Sequence, residues 1–164
     1  MIFQTPRLLV RQWGVEDLEN LHELYSDPAI SEMIGPLLNI EETKQIFEDQ
    51  LVQYKLQPHE GRYVIIEKKT NSFIGTLLLR ATRQKNAIEI GYAIKKSDWG
   101  KGLATEVVNE SIAYIFNVTA FNVIYAYTEL SNVNSKNVLD KCGFVQQENF
   151  FEDGGELNVF TLKK

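Results

Sequence analysis

Alternating apolar and polar positions predict most of the β-strands of this chain. Such alternation, or a short apolar run bounded by turn residues, is typical of strands whose two faces differ in burial. A turn at Thr70-Asn71 separates two of these runs, and Gly91 marks a bulge or a close backbone approach in a third. The predicted strands cover residues 6–13, 61–69, 72–81, 87–94 and 123–130, and two more flank a turn at Asp153-Gly154-Gly155.

Apolar residues at helical spacing predict four helices, within residues 15–26, 41–57, 104–117 and 134–142. Asp27-Pro28 stops the first of these patterns, and Pro58 lies just beyond the second. Asn134 or Ser135 is the expected cap of the fourth helix, and Gly143 ends it.

The order of these elements is strand, two helices, three strands, helix, strand, helix and two strands. It predicts a mixed α/β (α+β) layer architecture rather than a uniform βαβ alternation. No repeat or low-complexity linker interrupts the chain, so we expect a single domain over residues 1–164. With 44% hydrophobic and 24% charged residues, a chain of 164 residues can bury a substantial core.

Composition and charge limit the cellular compartment and the classes of binding partner that we expect for this chain. No run approaches ~20 consecutive apolar residues, so no membrane partner is expected. The first residues do not resemble a signal peptide, and the single cysteine, Cys142, suits a reducing compartment, so we expect a cytoplasmic protein. A net charge of −5 argues weakly against nucleic acid and fits either cationic partners or ordinary solubility. His22 and His59 lie far apart, so no metal site is expected.

The stretch SDWGKGLATE (97–106) places two glycines between a predicted strand and a predicted helix. A Walker-type loop needs four residues between its first glycine and Gly-Lys-Ser/Thr, and that spacing is absent. A dinucleotide fingerprint needs a third glycine where Thr105 stands. Two interpretations remain open at this point: a diphosphate loop of the kind found in acetyl-CoA enzymes, and a plain glycine turn that enters a helix.

A second stretch, NVNSKNVLDKCGF (132–144), combines with the glycine loop into a pattern that resembles the GNAT superfamily of N-acetyltransferases. The resemblance is strongest to the branch of the RimJ and RimL ribosomal-protein N-terminal acetyltransferases, and TPRLLVRQW resembles the usual opening of that branch. It implies a central, twisted mixed sheet of about seven strands, splayed between the fourth and fifth, with about four flanking helices. The matching residues are Trp99, Gly100, Gly102, Ala104, Thr105 and Glu106, then Asn132, Ser135, Val138, Leu139, Lys141, Gly143 and Phe144.

By the same resemblance, acetyl-CoA is the acetyl donor and CoA the product. The loop beginning at Gly100 would bind the diphosphate through the backbone of Lys101, Gly102, Leu103, Ala104 and Thr105. The pantetheine arm would lie beside the backbone of Tyr92, Ala93 and Ile94, which requires a free strand edge there, and Asn132 would contact CoA. The Lys101 side chain either adds positive charge or is a solvated loop lysine.

The sequence identifies the catalytic residues less specifically than the residues that would bind the coenzyme. Glu89 is the favoured general base or amine-orienting group, although alternation also allows an outward-facing strand residue; Glu152 and Glu156 are weaker candidates. Many relatives carry a tyrosine where this chain has Leu139, so Ser135 is the expected proton donor or hydrogen-bond partner of the thiolate, with helix capping as the alternative. Cys142 is expected in the core rather than as a nucleophile.

The predicted reaction is direct acetyl transfer in a ternary complex to a primary amine. The leading acceptor is the N-terminal α-amine of a protein such as a ribosomal protein. The alternatives are a small amine (a polyamine or drug) and a non-catalytic acetyl-CoA-binding module. The chain is expected as a monomer or homodimer, and its sequence leaves the acceptor and the general base open.

Overall fold

The computed structural model describes residues 1–152 and 155–164, so the centre of the predicted turn at Asp153-Gly154 lies outside the described residues. In that part of the chain there are nine strands and five α-helices. The strands are β1 (Phe3–Gln4), β2 (Leu8–Gln12), β3 (Gly61–Glu67), β4 (Ser72–Ala81), β5 (Ala87–Ile94), β6 (Val123–Glu129), β7 (Val145–Gln146), β8 (Phe150–Glu152) and β9 (Gly155–Lys163). The helices are α1 (Leu18–Tyr25), α2 (Pro28–Ile34), α3 (Ile40–Leu56), α4 (Leu103–Val118) and α5 (Val133–Lys141).

The fold class is confirmed, and the strand count differs from the expected number only at the margins of the sheet. Strands β4 and β5 have the predicted bounds. The two additional strands, β1 and β7, contain two residues each. The predicted strand at 6–13 is shorter because the Thr5 amide donates to the Leu8 carbonyl at 2.9 Å, which turns the chain just before β2.

The first helical pattern stops before Asp27-Pro28 as predicted, since α1 ends at Tyr25, but the same pair also begins a further helix, α2, which the sequence analysis did not predict. The Asp27 carboxylate accepts a hydrogen bond from the Ala29 amide at 2.9 Å, which caps the new helix. Proline is well tolerated at the first helical position, where its missing N–H would have no intrahelical partner. Residues Ile30, Met33 and Ile34 therefore extend a helical face that the sequence analysis left unassigned.

The sheet has the order β1-β2-β3-β4-β5-β6-β9-β7, with β8 paired to β9. Its pairs are antiparallel except β5 with β6, which run parallel. These two strands pair only through Ala87–Val123, Ile88–Ile124 and Glu89–Tyr125. Beyond Glu89 the described strands diverge. This confirms the splay predicted between the fourth and fifth strands of the sequence analysis, which are β5 and β6 of the structure.

The two faces of the sheet carry different helices. On one face, α4 and α5 bury Val107, Ile115 and Leu139 in one cluster with Ile88 and Ile90 of β5. On the other face, α1–α3 supply Leu21, Leu24, Ile30 and Phe47 to a second cluster that includes Ala93 of β5. Side chains of β5 alternate between the faces. The split strands therefore open a passage from one helical layer to the other.

Candidate active site

A cleft of about 770 Å³ lies where β5 and β6 separate. It is lined by the C-terminal half of β5, the loop before α4, the end of β6, the start of α5, and α2 on the opposite face. Of the residues predicted to contact the coenzyme and the two favoured catalytic residues, all but Lys101 line this cleft; they are Glu89, Tyr92, Ala93, Ile94, Gly100, Gly102, Leu103, Ala104, Thr105, Asn132 and Ser135.

The glycine loop is built around two left-handed residues. Gly100 and Gly102 have φ values of 75° and 76°, a region that glycine enters without strain. Gly102 is the N-cap of α4 and has no side chain that could accept a hydrogen bond from the first-turn amides of this helix. Such amides, together with the positive end of the helix dipole, suit a bound diphosphate. The loop therefore fits the phosphate groups of CoA.

Side chains around the loop hold its shape. The Trp99 indole donates a hydrogen bond to the Ile94 carbonyl at 2.7 Å, which ties the loop to the end of β5. The Lys101 ammonium pairs with the Asp98 carboxylate at 2.6 Å, so much of its charge is balanced locally. The role predicted for the Lys101 backbone does not depend on this side-chain pair.

The edge of β5 beyond Glu89 has no strand partner in β6 within the described chain. An extended ligand such as pantetheine can add to such an edge as an extra strand would. Ala93 points towards the α1–α3 layer, whereas Tyr92 packs against the α4–α5 layer. The required free edge is thus present at residues 90–94.

Glu89 lies at the apex of the splay, in the last pair that joins β5 to β6. Its oxygen Oε2 accepts two hydrogen bonds from Arg80, at 3.1 Å from Nε and 2.7 Å from Nη2. Within residues 1–152 and 155–164, Oε1 has no hydrogen bond. Its side chain is 15% exposed and shares its face with Gly91 and Ala93, on the side of α1–α3. The Glu89 carboxylate therefore lines the cleft, and its oxygen Oε1 is free to accept a hydrogen bond or a proton.

The start of α5 differs from the prediction. Asn132, rather than Asn134 or Ser135, caps this helix, because its side-chain oxygen accepts from the Ser135 amide at 3.0 Å. Residues 132–135 include three polar side chains that can cap a helix, and in the folded backbone the first of them, Asn132, is the cap. Ser135 lies on the third helical position, so capping does not occupy its hydroxyl.

Tyr92 contributes a phenol that the sequence analysis did not use. Its hydroxyl donates to the Ser135 carbonyl at 3.5 Å, next to the buried Leu139. Burial raises the pKa of Tyr92 to about 12, so this hydroxyl stays protonated at neutral pH. Alternation along β5 was the signal that could have placed it on the Ser135 side of the sheet.

Other sequence candidates lie away from the cleft. Glu156 accepts a hydrogen bond from Asn149 at 2.8 Å and does not line the cleft, and the side chain of Glu152 lies outside what the structure describes. Cys142 is packed in the core, where burial raises the pKa of its thiol. Among the described residues, no group of His, Cys, Asp and Glu could hold a metal ion, and no helix is long and apolar enough to cross a membrane.

Comparison with known proteins agrees with this geometry. Residues 7–145 match the model of the acetyltransferase (GNAT) domain family. The chain is 32% identical over 152 residues to an uncharacterized N-acetyltransferase, p20, of Bacillus licheniformis, covering 91% of this chain and 84% of that protein.

Solved structures share the fold. A spermidine N-acetyltransferase of Vibrio cholerae, in complex with CoA and spermine, superposes with a TM-score of 0.81 at 20% identity, over 97% of this chain and 96% of that one. An acetyltransferase of Salmonella typhimurium that modifies the N-terminal serine of ribosomal protein L7/L12 gives a TM-score of 0.84 at 16% identity, over 98% and 96%.

Proposed function

The chain belongs to the acetyltransferase (GNAT) family, and on that premise we propose that it acetylates the N-terminal α-amine of a protein such as a ribosomal protein. It is an N-acetyltransferase, and acetyl-CoA is its cosubstrate. The observation that carries the proposal is the cleft between β5 and β6. It joins the glycine loop on the α4–α5 face to the Glu89 carboxylate on the α1–α3 face, so donor and acceptor can approach one point from opposite layers.

Each end of the cleft has its own role in this proposal. The backbone of residues 101–105 binds the diphosphate, and the open edge of Tyr92–Ile94 pairs with the pantetheine arm. Asn132 contacts the coenzyme from the start of α5. The bound coenzyme supplies an activated acetyl thioester. Ser135 lies on the α5 wall of the same cleft, where its hydroxyl donates a hydrogen bond to the sulfur atom of the coenzyme.

The proposed chemistry uses two side chains. The acceptor amine forms the new N–C bond with its lone pair while the C–S bond breaks and its electron pair leaves on sulfur. Glu89 takes the proton that the amine loses, directly or through one water molecule. The Ser135 hydroxyl donates a hydrogen bond to the departing thiolate. Because an α-amine has a pKa of about 7.7–8.0 and a lysine amine about 10.4, a carboxylate base is adequate for the former.

Charge favours a cationic acceptor. Residues 15–60, which include α1–α3, contain eleven acidic and two basic side chains, although the whole chain has a net charge of only −5. The layer around the acceptor end of the cleft is therefore acidic, and such a field raises the encounter rate of positively charged molecules. The N-terminal segment of a basic protein fits this field.

A polyamine is the second candidate, because the spermidine N-acetyltransferase of V. cholerae shares the fold. The carboxylates that line the cleft are Glu89, Asp98 and Glu129. Arg80 neutralises the first and Lys101 the second, so of these three carboxylates Glu129 alone has no ion pair within the part of the chain that the structure describes. A polyamine would bring several ammonium groups to a cleft with few unpaired carboxylates, which favours the single amine of a peptide.

A thiol-release assay tests the proposal. Acetyl-CoA is offered with N-terminal peptides of ribosomal proteins, the same peptides with a blocked α-amine, and spermidine. We expect release only with the free α-amine, and mass spectrometry should place the acetyl group there. Faster turnover of spermidine would replace the proposal by the polyamine reaction. Coenzyme binding without turnover on any amine would indicate a binding module instead.

A further inference from the structure

The segment between β1 and β2 reaches across to the start of α4. Arg7 Nε lies 2.5 Å from Glu106 Oε2, and its Nη1 donates to the Lys101 carbonyl at 2.9 Å. The other carboxylate oxygen of Glu106 accepts from the Thr5 hydroxyl at 2.5 Å and from the Arg7 amide at 3.0 Å. The TPRL opening and the GKGLATE loop, about a hundred residues apart in sequence, thus form one hydrogen-bonded unit.

Glu106 stands in the first turn of α4, at the helix end whose amides are suited to an anion. Burial alone would raise the pKa of Glu106, but the hydrogen bonds from Thr5 and Arg7 outweigh it and hold the pKa below its usual value. The group is therefore a carboxylate at neutral pH. An unbalanced negative charge there would oppose the binding of a diphosphate at the same helix end.

Arg7 offsets this charge from a position beside the loop. Its Nη2 would lie 3.7 Å from a Cβ atom built on Gly102, so the guanidinium extends from Glu106 along the loop to its second glycine. The hydrogen bond to the Lys101 carbonyl also restrains the peptide unit between the two left-handed glycines. One side chain thus acts on both the charge and the shape of the loop.

We propose that Arg7 is a positioning residue for the coenzyme, which neutralises Glu106 and fixes the Lys101 carbonyl so that the glycine loop can hold a diphosphate. This inference rests on the proposed function, since it takes residues 101–105 as the diphosphate site. An exposed ion pair contributes little to stability in general, and the Arg7 side chain is 47% exposed. The proposal therefore places the effect of Arg7 on coenzyme affinity rather than on folding.

The experiment measures dissociation constants by calorimetry for CoA, for dephospho-CoA, which keeps the diphosphate, and for pantetheine, which lacks it. In Arg7→Gln we expect CoA and dephospho-CoA to bind about tenfold more weakly, equivalent to about 1.4 kcal/mol, and pantetheine to bind unchanged. Adding Glu106→Gln to Arg7→Gln removes the uncompensated carboxylate and should recover most of the loss. Arg7→Lys restores the charge and should recover part of it.

Arg11→Gln is the control, because Arg11 pairs with the more deeply buried Asp17 at 2.7 Å and makes its hydrogen bonds to Gln12 and Asp17 rather than to the glycine loop. It should lower the melting temperature without changing the affinity for CoA. An unchanged CoA affinity in Arg7→Gln would overturn the inference, and so would an equal loss for CoA and pantetheine, because that pattern indicates a merely structural role.

Failure of the underlying site assignment gives a different result. If the unmodified protein binds CoA no more tightly than pantetheine, then residues 101–105 do not hold the diphosphate, and the inference falls with that assignment. If Arg7→Gln does not fold, Arg7→Lys and the single Glu106→Gln variant carry the test. We expect Glu106→Gln to bind CoA at least as tightly as the unmodified protein, and weaker binding would contradict the electrostatic argument.

Discussion

Replacement of Gly102 by alanine separates the conformational requirement of the glycine loop from its binding role. Gly102 has φ 76° and ψ 9°, in the left-handed region. An added Cβ would have the Arg7 guanidinium as its nearest contact, at an ordinary 3.7 Å, so no clash occurs. The expected penalty is backbone strain of about 1–2 kcal/mol. Loss of glycine's freedom in the unfolded chain offsets about 0.4–1 kcal/mol of it.

Gly143 provides a matched control at the end of α5. It has φ 86°, and an added Cβ would meet Leu162 at 3.9 Å. The strain is therefore the same in kind and size, but Gly143 does not line the cleft. Both variants should lose about 1 kcal/mol of unfolding free energy, which corresponds to a fall in melting temperature of about 2–4 °C for a chain of this size.

The two variants should differ in coenzyme affinity. An alanine relaxes toward negative φ, which rotates the amides that precede α4 away from a bound diphosphate. Loss of one hydrogen bond to a charged group weakens binding by about 1.5–3 kcal/mol, so Gly102→Ala should bind CoA at least about tenfold more weakly. Gly143→Ala should bind it as the unmodified protein does.

The assay pairs thermal unfolding with calorimetric titration of CoA for each variant. Equal affinities in Gly102→Ala and Gly143→Ala, with equal losses of stability, would refute the reasoning, because strain alone would then explain everything about Gly102. A loss of CoA affinity confined to Gly102→Ala supports the loop as the diphosphate site.

Three further changes test the remaining residues. Glu89→Gln should reduce kcat by about a hundredfold or more without changing CoA affinity, since only proton removal is lost; a rate that stays the same would remove Glu89 as the base. Ser135→Ala should lower kcat by about 10- to 100-fold while CoA still binds, and an unaffected rate would exclude its role at the thiolate. Because the pKa of Glu106 in the folded protein lies below its ordinary value of 4.5, its stabilising contribution is present above that value and is lost as the pH falls through the lower one. Acid unfolding curves of Glu106→Gln should therefore be less steep below pH 4.5, and an unchanged curve would contradict this assignment.

Local patterns predicted a large part of the fold. The bounds of β4 and β5 follow from the apolar runs at 72–81 and 87–94, because a strand's period is set by its own residues. The splay between β5 and β6 was predicted through the family resemblance rather than from periodicity, whereas the parallel direction of this pair was not predicted. The sequence analysis missed α2, which begins at Pro28, and named the wrong cap for α5. In both places neighbouring residues could each begin or end a helix, and the sequence pattern did not distinguish them.

The residue types of the candidate site were visible in the sequence, but its partners were not. The loop glycines, Glu89 and Ser135 stand in recognisable local contexts. The pairing of Glu89 with Arg80 depends on the β4–β5 register, and that of Arg7 with Glu106 depends on how β1 and β2 lie against α4.

The sequence by itself determined where most strands, most helices and the two loop glycines occur, because spacing, turn residues and backbone preference act over a few neighbouring positions. Only the tertiary structure decided that α2 faces the cleft, that Tyr92 meets Ser135, and that Arg7 balances the carboxylate beside the glycine loop. Those contacts join segments far apart in the chain. Their existence depends on the packing of whole elements, which no local pattern specifies.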